Sequence, residues 1–291
     1  MSQTPPYLVG LVGTGVTPSL TPAMHMAEAR ALGLDYVYRT IDLTTLGLAP
    51  DQLPDILVWA RRLGFDALNV THPCKRLVLE YLDRVDPLAQ ALGSVNTVLF
   101  TDQGLVGHNT DTTGFETAFR TGLPRASVDD LTLLGAGGAG SAVADALLRV
   151  GTRRLTVVDI DAERAEELAT DLNRRHAVEV GHATTAALPG LLATASGLVH
   201  CTPTGMKEHP GMPFSPDLLR PELWVADIVY RPLDTALLRA ARDAGCATLD
   251  GGSMAVHQAV DAFRLITGHQ PDPARMIRHF HDLVAPHPVP A

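Results

Sequence analysis

A glycine-rich hexapeptide, Gly135-Ala136-Gly137-Gly138-Ala139-Gly140, separates an apolar stretch from an alanine-rich one. It satisfies the pattern G-x-G-x-x-G, in which the first glycine permits a tight turn, the second lets the backbone approach a pyrophosphate, and the third allows close helix packing. The start of the following helix would offer unpaired N–H groups and the positive end of its dipole to phosphates. The hexapeptide therefore predicts a dinucleotide-binding turn; the alternative is a strand-to-helix turn that binds nothing.

An acidic residue follows at the distance that such a turn requires. Asp159 stands about 20 residues beyond Gly140, at the end of the next apolar stretch. A carboxylate there would accept hydrogen bonds from ribose hydroxyls and would repel the 2′-phosphate of NADP, which suits arginine or lysine instead. Asp159 therefore predicts NAD as the cofactor, although the same residue could also cap a helix.

Two polar clusters in the first half of the chain could carry proton transfer. They are Asn69-Val70-Thr71-His72-Pro73-Cys74-Lys75 and Gly107–Gly114, and both follow predicted strands, where open parallel sheets bind ligands. Oxidation of an alcohol needs a group that accepts the hydroxyl proton, and usually a hydrogen-bond partner for that group. Lys75 and Asp111 have the right chemistry. Taken alone, however, Lys75 is typical of a solvated helix lysine and Asp111 of a helix N-cap.

Alternating strands and helices must position these clusters, and the alternation predicts parallel sheets covered by helices. In the first half the predicted strands are Tyr7–Val12, Asp35–Ile41, Ala67–Val70, Ser94–Phe100 and Leu105–Gly107, and the helices are Thr21–Leu32, Leu53–Leu63 and Lys75–Val85. After a connecting helix at Thr113–Thr121 the pattern restarts, with strands Leu131–Leu134, Leu155–Asp159, Gly197–Cys201, Trp224–Ile228 and Cys246–Asp250 and helices Ser141–Val150, Ala162–Arg175 and Thr235–Ala244.

The restart predicts two three-layer α/β domains with a cleft between them. We expect a mostly parallel sheet in residues 1–113 and a Rossmann-type domain in residues 114–251. Residues 252–291 should form C-terminal helices that return to the first domain, with a frayed tail at Pro286–Ala291.

Composition excludes several classes of protein. The chain has 32 acidic and 23 basic residues and a formal charge of −9, so nucleic-acid and membrane partners are not expected. Three widely spaced cysteines favour neither a disulfide framework nor a zinc site, and the 12 histidines include no H-E-x-x-H pattern, so no metal is expected. No Lys or Arg precedes Arg30 and no apolar run approaches ~18 residues, which predicts a cytoplasmic protein.

Several ordered motifs resemble those of the shikimate dehydrogenase family, from about Gly10 to Gly268. They are Ser19-x-Thr21-Pro22-x-x-His25, Asn69-Val70-Thr71-x-Pro73-x-Lys75, Gly93-Ser94-Val95-Asn96-Thr97, Asn109-Thr110-Asp111-x-x-Gly114, the glycine-rich hexapeptide, Cys201-Thr202-Pro203-x-Gly205-Met206, Asp227-x-x-Tyr230-x-Pro232 and Met254-x-x-x-Gln258. The resemblance implies reversible oxidation of the ring 3-hydroxyl of shikimate or quinate, by a monomer or homodimer that takes this small molecule as its substrate. It also implies that the first domain binds the substrate.

The same resemblance implies roles for individual residues. Lys75 and Asp111 would form the catalytic pair. The substrate positions are Ser19, Thr21, Thr71 and Tyr230 around the carboxylate, and Asn96, Asp111 and Gln258 around the ring hydroxyls. The cofactor positions are Gly135, Gly137, Gly138, Ala139, Gly140, Asp159, Cys201, Thr202, Met206 and Met254.

At two positions the chain departs from the NADP-dependent members of the family and resembles the NAD-dependent quinate/shikimate branch. NADP-dependent biosynthetic members typically carry Asn-Arg-Thr where this chain has Asp159-Ile160-Asp161, and a second Ser where it has Thr21. The sequence therefore predicts an NAD-dependent quinate/shikimate dehydrogenase. The alternatives are an NADP-dependent biosynthetic shikimate dehydrogenase and, in a different class, a non-catalytic NAD-binding sensor that kept the fold.

Overall fold

The computed structural model describes residues 6–285. This part of the chain folds into two compact units. The first unit contains the chain up to Thr110 together with the segment from Gln258 onward, and the second unit is Asp111–His257. The tail Pro286–Ala291, which we expected to be frayed, lies outside the described residues.

The first unit contains a mixed sheet of six strands. In chain order they are β1 (Tyr7–Gly13), β2 (Tyr36–Asp42), β3 (Ala67–Val70), β4 (Arg84–Val85), β5 (Thr97–Thr101) and β6 (Gly104–His108), arranged as β2-β1-β3-β5-β6-β4. β1 runs parallel to β2 and β3, β5 runs antiparallel to both β3 and β6, and β4 is parallel to β6. The parallel strands β1 to β3 thus end at one edge of the sheet, beside the start of β5.

Helices cover this sheet because its strands are apolar on both faces. The helices are α1 (Thr21–Ala31), α2 (Leu43–Leu46), α3 (Leu53–Arg62), α4 (Cys74–Leu77) and α5 (Pro87–Leu92). Leu68 belongs to an apolar cluster that includes Leu57 of α3, whereas its neighbour Ala67 belongs to a second cluster that Met26 of α1 contacts. Adjacent strand residues point to opposite faces, so the unit is a three-layer α/β structure.

The predicted helix Lys75–Val85 is wrong. Helix α4 ends at Leu77 and is followed by a 3₁₀ turn, while Arg84 and Val85 pair with β6 as strand β4. The Asp83 carboxylate accepts a hydrogen bond from the backbone N–H of Leu105 at 2.7 Å, which holds the chain to the sheet at this point. A local helical pattern could not reveal a pairing partner some 20 residues away.

The second unit contains a fully parallel six-stranded sheet. Its strands are β7 (Asp130–Leu134), β8 (Arg154–Asp159), β9 (Val180–Thr184), β10 (Gly197–His200), β11 (Trp224–Asp227) and β12 (Thr248–Leu249), in the order β12-β11-β10-β7-β8-β9. Counted from β7, this is the order 3-2-1-4-5-6 of a doubly wound dinucleotide-binding fold. The predicted fold class, two α/β domains of which one is Rossmann-type, is confirmed.

Helices lie on both faces of this second sheet. They are α6 (Asp111–Gly122), α7 (Gly138–Arg149), α8 (Ala162–Arg175), α9 (Leu188–Leu192) and α10 (Ala236–Asp243), and α11 (Gly251–Thr267) begins in this unit. Leu133 of β7 packs in one cluster with Leu147 of α7, and the next residue, Leu134, packs in another with Leu237 of α10. Strand β9 escaped prediction because it is a sheet edge whose residues Gly181 and His182 are exposed. The predicted strand Cys246–Asp250 shortens to β12.

The C-terminal segment consists of α11 and one further helix, α12 (Pro273–Val284). The guanidinium of Arg275 on α12 donates two hydrogen bonds to the carboxylate of Glu28 on α1, at 2.6 and 2.7 Å, and Glu28 is buried. This paired buried charge fixes α12 on α1. Within residues 6–285, no helix is long and apolar enough to cross a membrane.

Candidate active site

Backbone hydrogen bonds join three segments at the edge of the first sheet where β1 and β3 end. The N–H of Thr14, after β1, donates to the carbonyl of His72, after β3, at 2.9 Å. The N–H of Val70 donates to the carbonyl of Asn96, just before β5, at 2.8 Å. The loops after β1 and β3 therefore lie against each other, with Asn96 beside the end of β3.

Gly13 makes this close approach possible. A Cβ atom at Gly13 would lie 2.5 Å from the Thr71 methyl carbon and 2.9 Å from the His72 carbonyl oxygen. Both distances are shorter than real carbon contacts, so any larger residue would push the two loops apart.

The predicted substrate residues of the first unit occupy these segments, except Gln258. Ser19 lies in the loop between β1 and α1, and its hydroxyl accepts the N–H of Thr21, the first residue of α1, at 3.3 Å. Thr71 follows β3, and Lys75 is the second residue of α4; the Lys75 carbonyl accepts the N–H of Val95 at 2.9 Å. Gln258 lies on α11. The structure thus brings Thr71, Lys75 and Asn96 onto connected segments.

A buried polar network fixes the Asn96 side chain. Its Oδ1 accepts the Thr110 N–H and the Thr97 hydroxyl, both at 3.0 Å, and its Nδ2 donates to the Thr110 hydroxyl at 2.9 Å. Asn69 Nδ2 donates to Thr97 Oγ1 at 2.9 Å, and the Tyr38 hydroxyl donates to Asn69 Oδ1 at 2.6 Å. Asn69 was predicted only as a motif residue, and Tyr38, which extends the network across β2, β3 and β5, was not predicted at all.

Histidines near these segments have different environments. His25 is fully buried, with Nδ1 2.9 Å from the Tyr36 hydroxyl and its ring against Tyr38 and Phe263. Burial lowers the pKa of His25 to about 3, so it is a neutral core residue at ordinary pH. Burial also lowers the pKa of His108, and the negative charge of Asp86, which raises this pKa, offsets only part of that effect. In the part of the chain that the structure describes, no three His, Cys, Asp or Glu side chains form a metal-binding group.

In the second unit, the glycine-rich turn contains two glycines that the fold requires and two that have open space beside them. Gly135 has φ +111°, and a Cβ at Gly140 would lie 1.9 Å from the Gly135 carbonyl oxygen, so both positions need glycine for the fold. At Gly137 and Gly138, by contrast, an added Cβ would meet nothing within 4 Å. Helix α7 begins at Gly138 without a side-chain cap, and an uncapped helix start is able to bind an anion.

This contrast predicts different results for two alanine substitutions. Gly137 has φ −78°, which any residue adopts, so Gly137→Ala should leave Tm nearly unchanged and raise the cofactor KM by about tenfold or more, because its methyl group occupies pyrophosphate space. Gly140→Ala should lower the free energy of unfolding by about 1–3 kcal/mol or more through steric overlap. Thermal unfolding and cofactor titration of both variants test this; equal Tm losses would contradict it.

Asp159 ends β8 and contacts the same turn. Its Oδ2 accepts the Ala136 N–H at 2.7 Å, its Oδ1 accepts the Asp161 N–H at 3.0 Å, and the residue is 8% exposed. The carboxylate therefore helps to hold the glycine-rich turn as well as placing a negative charge beside it. The next residue, Ile160, is 86% exposed and offers an apolar surface that the sequence reading did not assign.

The loop after β10 lies on the other side of the turn. The Cys201 N–H donates to the Leu134 carbonyl at 2.7 Å, and a Cβ at Gly135 would lie 2.8 Å from the Cys201 carbonyl carbon. Burial, and secondarily the charge of Asp227, raise the pKa of the Cys201 thiol well above its usual range, so it is not a thiolate. Farther along, the Lys207 N–H donates to the Arg231 carbonyl at 3.0 Å, which connects the Met206 loop to the segment containing Tyr230.

A buried histidine network supports this loop and was missed by the sequence reading. His200 Nδ1 lies 3.0 Å from Asp227 Oδ1, and His200 Nε2 lies 2.5 Å from the Thr202 hydroxyl oxygen. The other Asp227 oxygen accepts the Thr235 hydroxyl at 2.8 Å. His200, Asp227 and Thr235 are all buried, so the orientation of Thr202 is tied to the end of β11.

Asp111 and Met254 complete the predicted set in the second unit. Asp111 is the first residue of α6 and is buried, and the hydroxyl of its neighbour Thr112 donates to the Ala142 carbonyl on α7 at 3.0 Å. Met254 lies in the first turns of α11 and packs on the core of this unit.

Comparison with known proteins identifies the family. A family model described as the shikimate dehydrogenase substrate binding domain matches residues 11–98. The chain is 57% identical, over 100% of both chains, to a Pseudarthrobacter chlorophenolicus protein named shikimate dehydrogenase (NADP(+)). The chain belongs to the shikimate dehydrogenase family. This confirms the resemblance drawn from the ordered motifs.

Other family members carry a second name. The chain is 46% identical to quinate/shikimate dehydrogenase (NAD(+)) of Corynebacterium glutamicum, over 95% of this chain and 98% of the relative. A solved structure of quinate dehydrogenase from Corynebacterium glutamicum in complex with NAD superposes with a TM-score of 0.90 at 45% identity, over 95% of this chain and 99% of that one. This shikimate dehydrogenase family member is therefore an oxidoreductase that uses a nicotinamide cofactor.

Proposed function

We propose that this chain catalyses reversible oxidation of the 3-hydroxyl of shikimate, with hydride transfer to a nicotinamide cofactor. The observation that carries the proposal is the joined edge of the first sheet, where Thr71, Lys75 and Asn96 lie on segments bonded to one another. The 57% relative named shikimate dehydrogenase (NADP(+)) supports shikimate as the main substrate. The comparisons thus favour the alternative, an NADP-dependent shikimate dehydrogenase, over the NAD-dependent quinate/shikimate dehydrogenase predicted from sequence.

In the proposed reaction, Lys75 accepts the hydroxyl proton during oxidation and returns it during reduction. Asp111 holds the same hydroxyl and the lysine by hydrogen bonds. The lysine must be neutral when it accepts the proton, as any general base must. The cofactor, when bound, supplies the nicotinamide carbon that accepts the hydride.

The remaining residues orient the substrate. Hydroxyl donors suit a carboxylate, so Ser19, Thr21, Thr71 and Tyr230 are proposed to bind that group. Asn96 and Gln258 carry amides that both donate and accept, and they are proposed to bind ring hydroxyls. The buried network behind Asn96 would keep its amide in one orientation during turnover.

The relatives and the chain's own residues do not favour the same cofactor. The 57% relative is named for NADP, whereas the 46% relative is named for NAD. The carboxylate of Asp159 beside the glycine-rich turn would repel a 2′-phosphate, and the next side chain, Ile160, is apolar. We therefore propose NAD as the preferred cofactor of this shikimate dehydrogenase.

The Asp159 charge predicts a measurable cofactor preference. We expect the wild type to favour NAD over NADP in kcat/KM by at least about tenfold, and Asp159→Asn to narrow that ratio mainly through the cofactor KM. Because Asp159 also accepts the Ala136 N–H, the KM for both cofactors should rise. Asp161→Asn removes a neighbouring charge and can still cap α8, so it serves as the control. Equal or better use of NADP by the wild type would support the NADP-dependent alternative.

Quinate remains a second candidate substrate. Thr21 and the Corynebacterium glutamicum relative, which is named for both substrates, favour it. Initial rates with shikimate and quinate, each with NAD and NADP, test all these alternatives together. We expect the highest kcat/KM with shikimate and NAD. A higher value with quinate would restore the quinate interpretation, and no turnover in any arm would favour the sensor.

A further inference from the structure

Asp42, the last residue of β2, bonds to the loop that follows the neighbouring strand. It is paired in register with Gly13, the last residue of β1. Its Oδ1 accepts the Gly15 N–H at 3.0 Å, and its Oδ2 accepts the Thr17 N–H at 2.8 Å and the Thr17 hydroxyl at 2.7 Å. Oδ1 also accepts the Thr44 N–H at 3.1 Å, which caps α2.

These bonds require an ionised carboxylate. Every partner of Asp42 is a donor, and the residue is 5% exposed, so water cannot readily replace them. Burial opposes ionisation, but the bonds from Thr17, Gly15 and Thr44 outweigh it and lower the pKa of Asp42 to about 2. The carboxylate is thus charged at any pH at which an enzyme would be assayed.

The loop that Asp42 holds runs directly into residues proposed to bind substrate. Thr17 is exposed and lies two residues before Ser19, and Ser19 in turn accepts the Thr21 N–H at the start of α1. Gly15 has φ +65° and an open environment, so neighbouring side chains do not pack against it. Between Gly15 and Thr17, Val16 is buried in an apolar cluster with Leu11 and Tyr38. The loop is therefore held by this one apolar side chain and by hydrogen bonds, three of which end on Asp42.

We infer that Asp42 is a positioning residue for the carboxylate-binding end of the substrate site, acting through the Gly15–Thr17 loop on Ser19 and Thr21. The inference rests on the proposed function. Lys75 lies on α4, after β3, and not on the loop that Asp42 holds, so the proton-transfer step should not depend on Asp42. Loss of the Asp42 charge should weaken substrate binding and leave the rate of the chemical step nearly unchanged.

The test uses Asp42→Asn, whose amide group would face N–H and O–H donors that need an acceptor. We expect the KM for shikimate to rise about tenfold or more, with kcat within about threefold and the cofactor KM unchanged. Asp66→Asn is the matched control, because Asp66 accepts the Leu8 N–H at 2.7 Å at the opposite end of the same strands. The Asp66→Asn substitution should not change the KM for shikimate.

An analogue with a hydroxymethyl group in place of the carboxylate separates positioning from general damage. If Asp42 acts at the carboxylate end, Asp42→Asn should weaken the analogue much less than shikimate. Equal weakening of both, or a fall in kcat alone, would overturn the inference. If Asp42→Asn does not fold, Thr17→Val removes only the hydroxyl bond and should raise the shikimate KM in the same direction; an unchanged KM would also overturn it. Absence of wild-type turnover would instead refute the proposed function.

Discussion

Lys75→Ala is expected to lower kcat for shikimate oxidation by roughly two to four orders of magnitude, with a smaller change in KM. This is the usual contribution of general acid–base catalysis, and alanine has no group that can accept the hydroxyl proton. The substitution should leave the fold intact, because the contact from Val95 is to the Lys75 backbone carbonyl and alanine favours helices.

Arg76→Ala is the matched control for this prediction. Arg76 is the next residue of α4, carries the same charge, and is exposed. It should keep kcat within about threefold of wild type. If Lys75→Ala changed only the KM, Lys75 would be a binding residue and a different group would accept the hydroxyl proton.

Asp111→Ala is expected to lower kcat and raise the KM together, by about two orders of magnitude or more in kcat/KM. Its carboxylate is proposed to hold both the substrate hydroxyl and the lysine, so removing it affects binding and proton transfer. The Lys75→Ala/Asp111→Ala double variant should lose less activity than the product of the two single losses, because residues that act as one unit are not additive.

Asp111→Asn serves as the control in the same kinetic series. It keeps the size of the side chain at the start of α6, replaces one acceptor oxygen with an NH2 donor and removes the charge. We expect intermediate activity and an unchanged Tm. Strictly multiplicative losses in the double variant would show that Lys75 and Asp111 do not work together.

The sequence predicted the elements whose signals are local. The glycine-rich turn, α7 and β8 follow one another within about 25 residues, and each has its own pattern of glycines or apolar residues. Strand β4 was missed because its two residues are specified by pairing with β6, not by their own pattern. Helix α5 could have been found from its Asp86 cap, its first-turn proline and the glycine at its end, Gly93, but no element was predicted between Val85 and Ser94.

The supporting residues of the candidate site were harder to predict than the residues they support. Tyr38 and Asn69 lie on different strands, and only the register through β1 brings their side chains within 2.6 Å. His200 and Asp227 likewise meet because β10 and β11 pair side by side. Motif spacing identifies groups that would touch a ligand, whereas these partners depend on sheet order that a single sequence does not display.

The proposed reaction transfers a hydride from the ring carbon that bears the reacting hydroxyl to the nicotinamide. The most direct test incubates the purified wild-type protein with NAD and shikimate deuterated at C3, followed by mass spectrometry of the reduced cofactor. We predict that the NADH formed carries one deuterium and that dehydroshikimate is unlabelled at C3. Unlabelled NADH, or no reduction of the cofactor at all, would contradict the proposed reaction.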